Sequence, residues 1–476
     1  MKTRPHFQSR RQMLLLGAAA LSASIIPGHG LADDNETHDD YDEKNTYDEA
    51  RNTRFELANT GLKGRVVVIG GGMAGATAAK YLRLWGGADL QVTLVEPRPT
   101  YTSNIMSNLV LNNSRALSSL DFGYADLSSK YGVGVRSAAV TRLDTAARQV
   151  QLSDGSTLGY DRLVLAPGVE FMSAYGLSAA DYDSKTPHAW NAGPQTELLR
   201  RQLANMPSGG LFVLTIPKMP YRCPPGPYER ACLVADYLQR TKGAGSKVVI
   251  LDENASIQAE VETFTHAFNS IHAGVIDYRP GASGLAIDPD TKVVRYTDPL
   301  GLSVELKAHV VNPIPPHRAS GSAPNGWLAN AGLNNSTANG VADGRWCVVD
   351  VLSYESSAVA GVHVIGDAAS CGLPKAGHVA NQEAKICADA IVRAFGGHAP
   401  DPSPVANSAC YSPITASTAS WLTAVYQYDA ANRKMVLAAN GGQTLGARAT
   451  ESRSISSSNY QEMGVWFNSM MGDSFS

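Results

Sequence analysis

Cys223 and Glu229 lie six residues apart in the block Tyr221-Arg222-Cys223-Pro224-Pro225-Gly226-Pro227-Tyr228-Glu229-Arg230. A thiol and a carboxyl so placed suit thiol redox chemistry. A helix is predicted from about Glu229 to Thr241, and a cysteine near a helix N-terminus is expected to have a lowered thiol pKa. Glu229 then stands where it can accept the thiol proton. The same pair also reads as a buried small side chain and a first-turn helix acid, and the local sequence leaves both readings open. The chain has six cysteines, the others being Cys232, Cys347, Cys371, Cys387 and Cys410. Spacing alone does not pair them. No CxxC and no CxxCH occurs. Neither a zinc ribbon nor a local redox pair is encoded, no metal site is expected, and no c-type haem is attached to this chain.

A second constellation points to a dinucleotide. Val66–Ile69 reads as an apolar β-branched strand, followed by Gly70-x-Gly72-x-x-Gly75, an alanine-rich helix, a strand Val92–Val95 and the acid Glu96. The first glycine permits a tight turn, the second lets backbone approach a pyrophosphate, and the third brings the helix close to the strand. The helix N-terminus offers free N–H groups and a positive dipole end to phosphates. Glu96 suits a ribose 2′-hydroxyl and repels a 2′-phosphate, so FAD or NAD is favoured over NADP. Ala74 within the motif and Arg98 after Glu96 are assigned to the same site. Far downstream, Gly361–Ala369 reads as a strand ending in Gly366-Asp367, the second half of an FAD site. Lys375 is assigned with it. A helix from about Gly377 to Phe395 then points its N-terminus at the flavin.

These residues need elements to hold them. The strand Leu211–Leu214, the helix after Cys223, the strand Lys247–Leu251 and the acids Asp252 and Glu253 form a second βαβ unit. Its turn lacks GxGxxG, and prolines at 217, 220, 224, 225 and 227 remove N–H donors that a pyrophosphate needs. Nicotinamide binding is therefore expected to be lost there. The fold class expected is α/β, with two Rossmann-like (two-dinucleotide-binding) domains and a small C-terminal α+β domain. The expected organisation is an FAD-binding domain from 61–177 and 317–399, a degenerate NAD-like domain over 178–316, and a C-terminal domain over 400–476.

With 44% hydrophobic and 17% charged residues and a net charge of −3, nothing points to nucleic acid. Residues 1–32 read as a twin-arginine export signal: Arg10-Arg11 precedes an apolar run from Met13 to Ile26, too short to span a bilayer. Export to a bacterial periplasm is expected. Residues 33–60 read as an acidic, solvated tail, with nine acids and one lysine between Asp33 and Glu49. No later stretch is apolar enough for a membrane helix.

The blocks VVVIGGGMAGATAAKYL, YDRLVLAPGVE, PHAW, YRCPPGPYERA, VIGDA and CYSPI make the chain resemble the flavoprotein subunit of flavocytochrome c sulfide dehydrogenase. That family is related to sulfide:quinone reductases and glutathione reductase. The resemblance implies a redox-active disulfide between Cys223 and Cys410 beside the flavin. It also implies sulfide as substrate, and electrons passing through FAD to haem on a separate c-type cytochrome subunit. Members commonly link FAD covalently through a cysteine three residues before a Ser-Asn pair. Aligned on Ser107-Asn108, that position is Asn104, which forms no thioether. Non-covalent FAD is therefore expected, with a somewhat lower flavin potential.

Two other readings compete. One is a sulfide:quinone reductase, disfavoured because Tyr460–Ser476 shows no basic amphipathic helix for a membrane surface. The other is a non-catalytic flavoprotein accessory subunit of a periplasmic sulfur-oxidising complex. It is disfavoured because such a protein has no need of both Cys223 and Cys410.

Overall fold

A computed structural model describes residues 56–439, 444–445 and 449–476. The export signal and most of the acidic stretch lie outside the described residues.

The β-branched run after Gly64 forms β1 (Gly64–Ile69), buried from Val66 onward. The glycine turn feeds α1 (Met73–Gly86), whose small residues let it lie close to the sheet. The chain returns as β2 (Leu90–Val95), parallel to β1 with Val66 opposite Val92. On the other side of β1 runs β3 (Arg162–Leu165), also parallel. Connections from β1 and β3 thus leave the sheet in opposite senses. In open α/β sheets that switch point is where ligands bind, beyond the carboxyl ends of the strands.

The second unit comprises β4 (Leu211–Ile216), α2 (Gly226–Lys242), β5 (Lys247–Asp252), β6 (Ile276–Pro280) and β7 (Val310–Pro313). Its four strands lie in the order β6-β5-β4-β7, all parallel. α2 begins three residues before the expected Glu229, with Pro225 at its cap and Pro227 in its first turn. Proline is well placed there, because first-turn N–H groups have no intrahelical partner.

β8 (Val362–Val364) adds to β3, completing the core of an eight-stranded sheet. α3 (Gly377–Phe395) follows the Gly366-Asp367 turn. The C-terminal part is antiparallel, with β9 (Val405–Pro413) paired to β10 (Ala419–Asp429) so that Cys410 lies opposite Leu422. The last element, α4 (Ser457–Phe475), is a helix without a basic residue, in a stretch for which the sequence reading named no helix. Met463, Phe467, Met470, Met471 and Phe475 are buried along one helical stripe. Phe475 stacks on Tyr101 with centroids 5.2 Å apart. Serines and glycines dilute this stripe in sequence, and packing against the first domain supplies what periodicity alone does not.

Candidate active site

The glycine turn performs the three roles its spacing suggests. Gly70 has φ +98°, and a Cβ there would strike the Ala166 carbonyl. At Gly75 a Cβ would strike the Gly70 carbonyl. At Gly72 the only atom a Cβ would approach is a Tyr101 ring carbon 3.7 Å away, so backbone is open to the cavity. Glu96, at the end of β2, accepts the Gly71 N–H at 2.8 Å and the Arg98 Nε–H at 3.0 Å.

Gly70, Gly72, Glu96 and Arg98 line one side of a cleft that also contains Ala74, Gly366 and Asp367, while Gly75 packs behind that wall. Gly366 has φ +70°, and its N–H donates to Glu383 Oε2 at 2.6 Å. Asp367 is pushed up by burial, against which Arg222 and Lys375 pull down. Lys375 itself does not line this cleft. Its ammonium donates to the carbonyls of Asp367 (2.8 Å) and Ala369 (2.7 Å) and lies over the Trp346 ring. It therefore braces the turn from behind. The open backbone at Gly72, the N-terminus of α1 with no acid in its first turn, and Gly366-Asp367 make a cradle that fits a dinucleotide such as FAD.

Cys223, Cys410 and Glu229 line the far end of the same cleft. Each is contributed by a different element: the turn before α2, β9, and the first turn of α2. All six cysteines are unpaired thiols in the structure. Cys223 sits at φ +58°, a left-handed conformation uncommon outside glycine. Gly226 leaves its sulfur room: a Cβ there would lie 2.8 Å from Cys223 Sγ and 3.0 Å from the Trp190 ring. The expected lowering of the Cys223 thiol pKa is corrected. Burial pushes it well up, and Glu229 and Cys410 add to the rise. The helix end does not outweigh the loss of water and the nearby carboxyl. Cys410 is likewise pushed up to about 12, by burial and then by Glu260 and Glu229.

Glu229 is pushed up to about 7 by burial, with Asn108 and Arg230 opposing. The Asn108 amide donates to Glu229 Oε1 at 2.8 Å, and its Oδ1 accepts from Arg230 Nε at 2.8 Å. Arg230 is 2% exposed and also donates to the carbonyls of His188 and Ala189 and to Asn312 Oδ1. Asn108, Arg222 and Arg230 escaped the sequence reading. A lone cation next to an acid, opening the apolar run Ala231-Cys232-Leu233-Val234, was the available signal for a buried polar network. Asn104 lines the cleft, its Oδ1 accepting the Ala192 N–H at 2.8 Å.

The chain has the pyridine nucleotide-disulphide oxidoreductase fold, and the family model of that description matches residues 64–193. The family models for the sulfide dehydrogenase (flavocytochrome c) flavoprotein chain, central, and for flavocytochrome c sulphide dehydrogenase, flavin-binding, match residues 196–315 and 402–475. The sulfide dehydrogenase (flavocytochrome c) flavoprotein chain of Chlorobaculum thiosulfatiphilum is 50% identical over 46 residues, 10% of this chain and 94% of that one. The chain belongs to this family of flavoprotein chains. Ferroptosis suppressor protein 1 of Taeniopygia guttata is 34% identical over 104 residues, 22% of this chain and 26% of that protein. The other curated relatives it matches are spanned over about a quarter to somewhat more than half of their length. In fold, the chain is similar to the sulfide:quinone oxidoreductase of Aquifex aeolicus, with TM-score 0.66 and 18% identity over 86% of this chain and 92% of that one. It is also similar to the putidaredoxin reductase in its complex with putidaredoxin, with TM-score 0.57 and 20% identity over 85% and 93% of the two chains.

Proposed function

We propose that this chain oxidises sulfide with FAD through a disulfide between Cys223 and Cys410, and delivers the electrons to a c-type cytochrome subunit. The observation that carries this reading is the convergence of both thiols and Glu229 on the cleft that holds the dinucleotide cradle. Gly70, Gly72, Ala74, Glu96, Arg98, Gly366 and Asp367 hold the FAD from the cleft wall, while Gly75 and Lys375 support that wall from behind. Bound there, a flavin accepts an electron pair and gives electrons up singly. Sulfide attacks one sulfur of the disulfide; that bond breaks, a persulfide bond forms, and the electron pair leaves on the other sulfur. Glu229, titrating near neutrality, exchanges protons with the thiols. With asparagine at 104, the cofactor is held without a covalent bond.

A nicotinamide nucleotide is not part of this reading. Asp252, where a ribose-binding acid would stand in the second unit, is fully buried. It accepts hydrogen bonds from Tyr228 (2.7 Å), Tyr278 (2.9 Å) and the Asn254 N–H (2.9 Å). The prolines of the turn supply no donors for a pyrophosphate. Export by the twin-arginine route to the periplasm belongs to the same proposal. Among the described residues no helix is long and apolar enough to cross a membrane.

Sulfide-dependent reduction of cytochrome c, measured for the wild type and Cys223→Ala, tests the proposal. Activity in the first and its loss in the second are expected. A wild type that reduces a soluble quinone but no c-type cytochrome would move the reading to a quinone reductase. Sulfide inertness with every acceptor would leave an accessory flavoprotein.

A further inference from the structure

Glu260 is a buried carboxyl that the proposed chemistry leaves unused. It is 2% exposed and sits at φ +52°, immediately before the short helix Val261–His266. Its Oε1 accepts the Ser412 hydroxyl at 2.6 Å, and its Oε2 has no hydrogen-bond partner. Ser412 is two residues from Cys410 on β9, so both side chains leave the strand on one face. Ser420, on the neighbouring β10, stands directly opposite Ser412 in the strand pairing. From Ser420 a polar path continues outward. Its Oγ lies 3.1 Å from Thr263 Oγ1, which donates to Glu451 Oε2 at 2.8 Å. Glu451 also accepts the Thr263 N–H at 2.9 Å and reaches solvent.

We propose that Glu260 is the proton-holding partner of Cys410, and that Ser420, Thr263 and Glu451 conduct its proton to and from solvent. This rests on the function proposed above, in which the Cys223–Cys410 bond opens and closes. Sulfide attack opens the bond to a persulfide and a leaving thiolate, which takes up one proton; from the fully reduced pair of thiols, closing the bond gives two electrons to the acceptor and releases two protons. Glu229 stands in the first turn of α2 and serves Cys223. Cys410, half-buried on β9, has Glu260 as the first carboxyl to influence it after burial itself, with Glu229 second. Burial pushes Glu260 up to about 8, so the group holds a proton at neutral pH and gives it up within reach of that range. The titratable groups facing it are Glu229 and Cys232 from α2, Cys410 from β9, and Glu451 from the strand Thr450–Glu451. Hydroxyls of Ser420 and Thr263 both donate and accept, as a relay requires.

The test reads protons and thiols apart from turnover with sulfide. In the reduced protein, the pH dependence of Cys410 alkylation by iodoacetamide is followed by peptide mass. Glu260→Gln removes a negative neighbour and is expected to raise the alkylation rate at pH 9 several-fold. Proton release on closing the disulfide of the reduced protein with ferricyanide, which takes two electrons as two one-electron steps and no protons, is followed by an indicator dye under stopped flow. Thr263→Val, which keeps the shape but breaks the relay, is expected to slow that release at least tenfold. A control, Thr141→Val on an exposed strand, is expected to leave it unchanged. An unchanged Cys410 profile in Glu260→Gln, or release in Thr263→Val no slower than in the control, overturns the proposal. Because neither readout uses sulfide, failure of sulfide turnover with both readouts as expected counts against the proposed substrate and not against the relay.

Discussion

The backbone N–H of Cys223 donates to the carbonyl of Lys375 at 2.7 Å, and the Lys375 ammonium donates to the carbonyl of Asp367 at 2.8 Å. One residue thus ties the turn that carries a thiol to the turn that carries the second half of the dinucleotide cradle. The left-handed backbone at Cys223, which costs on the order of 1–3 kcal/mol for a non-glycine residue, is held by this contact from outside its own segment.

Lys375→Met follows from that link. The substitution keeps the stem over Trp346 but strips two donors from buried carbonyls. Each unpaired buried acceptor costs about 1–3 kcal/mol, and the strain at Cys223 is then less well opposed. FAD affinity, measured by fluorescence titration of the apoprotein, is expected to fall roughly tenfold or more. Affinity equal to wild type would show that the ammonium braces nothing the cofactor uses.

Gly226→Ala probes the space beside the sulfur. The added methyl meets Cys223 Sγ at 2.8 Å and the Trp190 ring at 3.0 Å, and neither neighbour is the free end of a flexible chain. Cys223 must shift. A displacement of about 1 Å at a reacting group costs on the order of a hundredfold in rate. Sulfide-dependent reduction is expected to fall by that order, while far-UV circular dichroism stays unchanged because alanine suits the first turn of α2.

Asn104 carries the proposal that FAD is held without a covalent bond. Its side chain holds the Ala192 N–H and offers no sulfur. Acid precipitation is expected to leave yellow FAD in the supernatant. Flavin that stays with the pellet and migrates with the chain under denaturing electrophoresis would contradict it.

Much of the cradle could be read from sequence because glycine spacing is dictated by backbone contact. Gly70 and Gly75 touch main chain, and no other residue type meets that need. The position of Cys410 was different. It lies 187 residues from Cys223 in the numbering and arrives through β9, so only the family resemblance paired the two. Local sequence misjudged the Cys223 thiol for a related reason. A helix N-terminus can be seen in sequence, whereas the burial and the neighbouring Glu229 that dominate it come from tertiary packing. Arg230 and Asn108 were hidden because a buried polar network looks, along the chain, like ordinary surface residues. Helix α4 was hidden because its apolar stripe is interrupted by Gly464 and Gly472, and its stability comes from stacking on Tyr101 and Phe122.

Glu229 makes the pH dependence explicit. Burial raises its carboxyl from 4.5 to about 7 in the folded protein. Below the unfolded value both states are protonated, and the stability associated with the neutral carboxyl is fully present. As pH rises through the window from 4.5 to about 7, the unfolded carboxyl ionises first and stability falls. At about 1.4 kcal/mol per unit, the loss from this group is on the order of 3 kcal/mol. Glu229→Gln keeps an oxygen for the Asn108 amide and removes the ionisation. The decline in urea-unfolding free energy between pH 5 and pH 7 is therefore expected to shrink by about 2 kcal/mol, leaving the shares due to other raised carboxyls, Glu260 and Glu383 among them. The activity should change oppositely. A carboxylate that accepts a thiol proton gives the wild type a rate that rises through about pH 7, and the glutamine variant should lack that rise. A variant with the wild-type pH–rate profile would remove Glu229 from the proton chemistry.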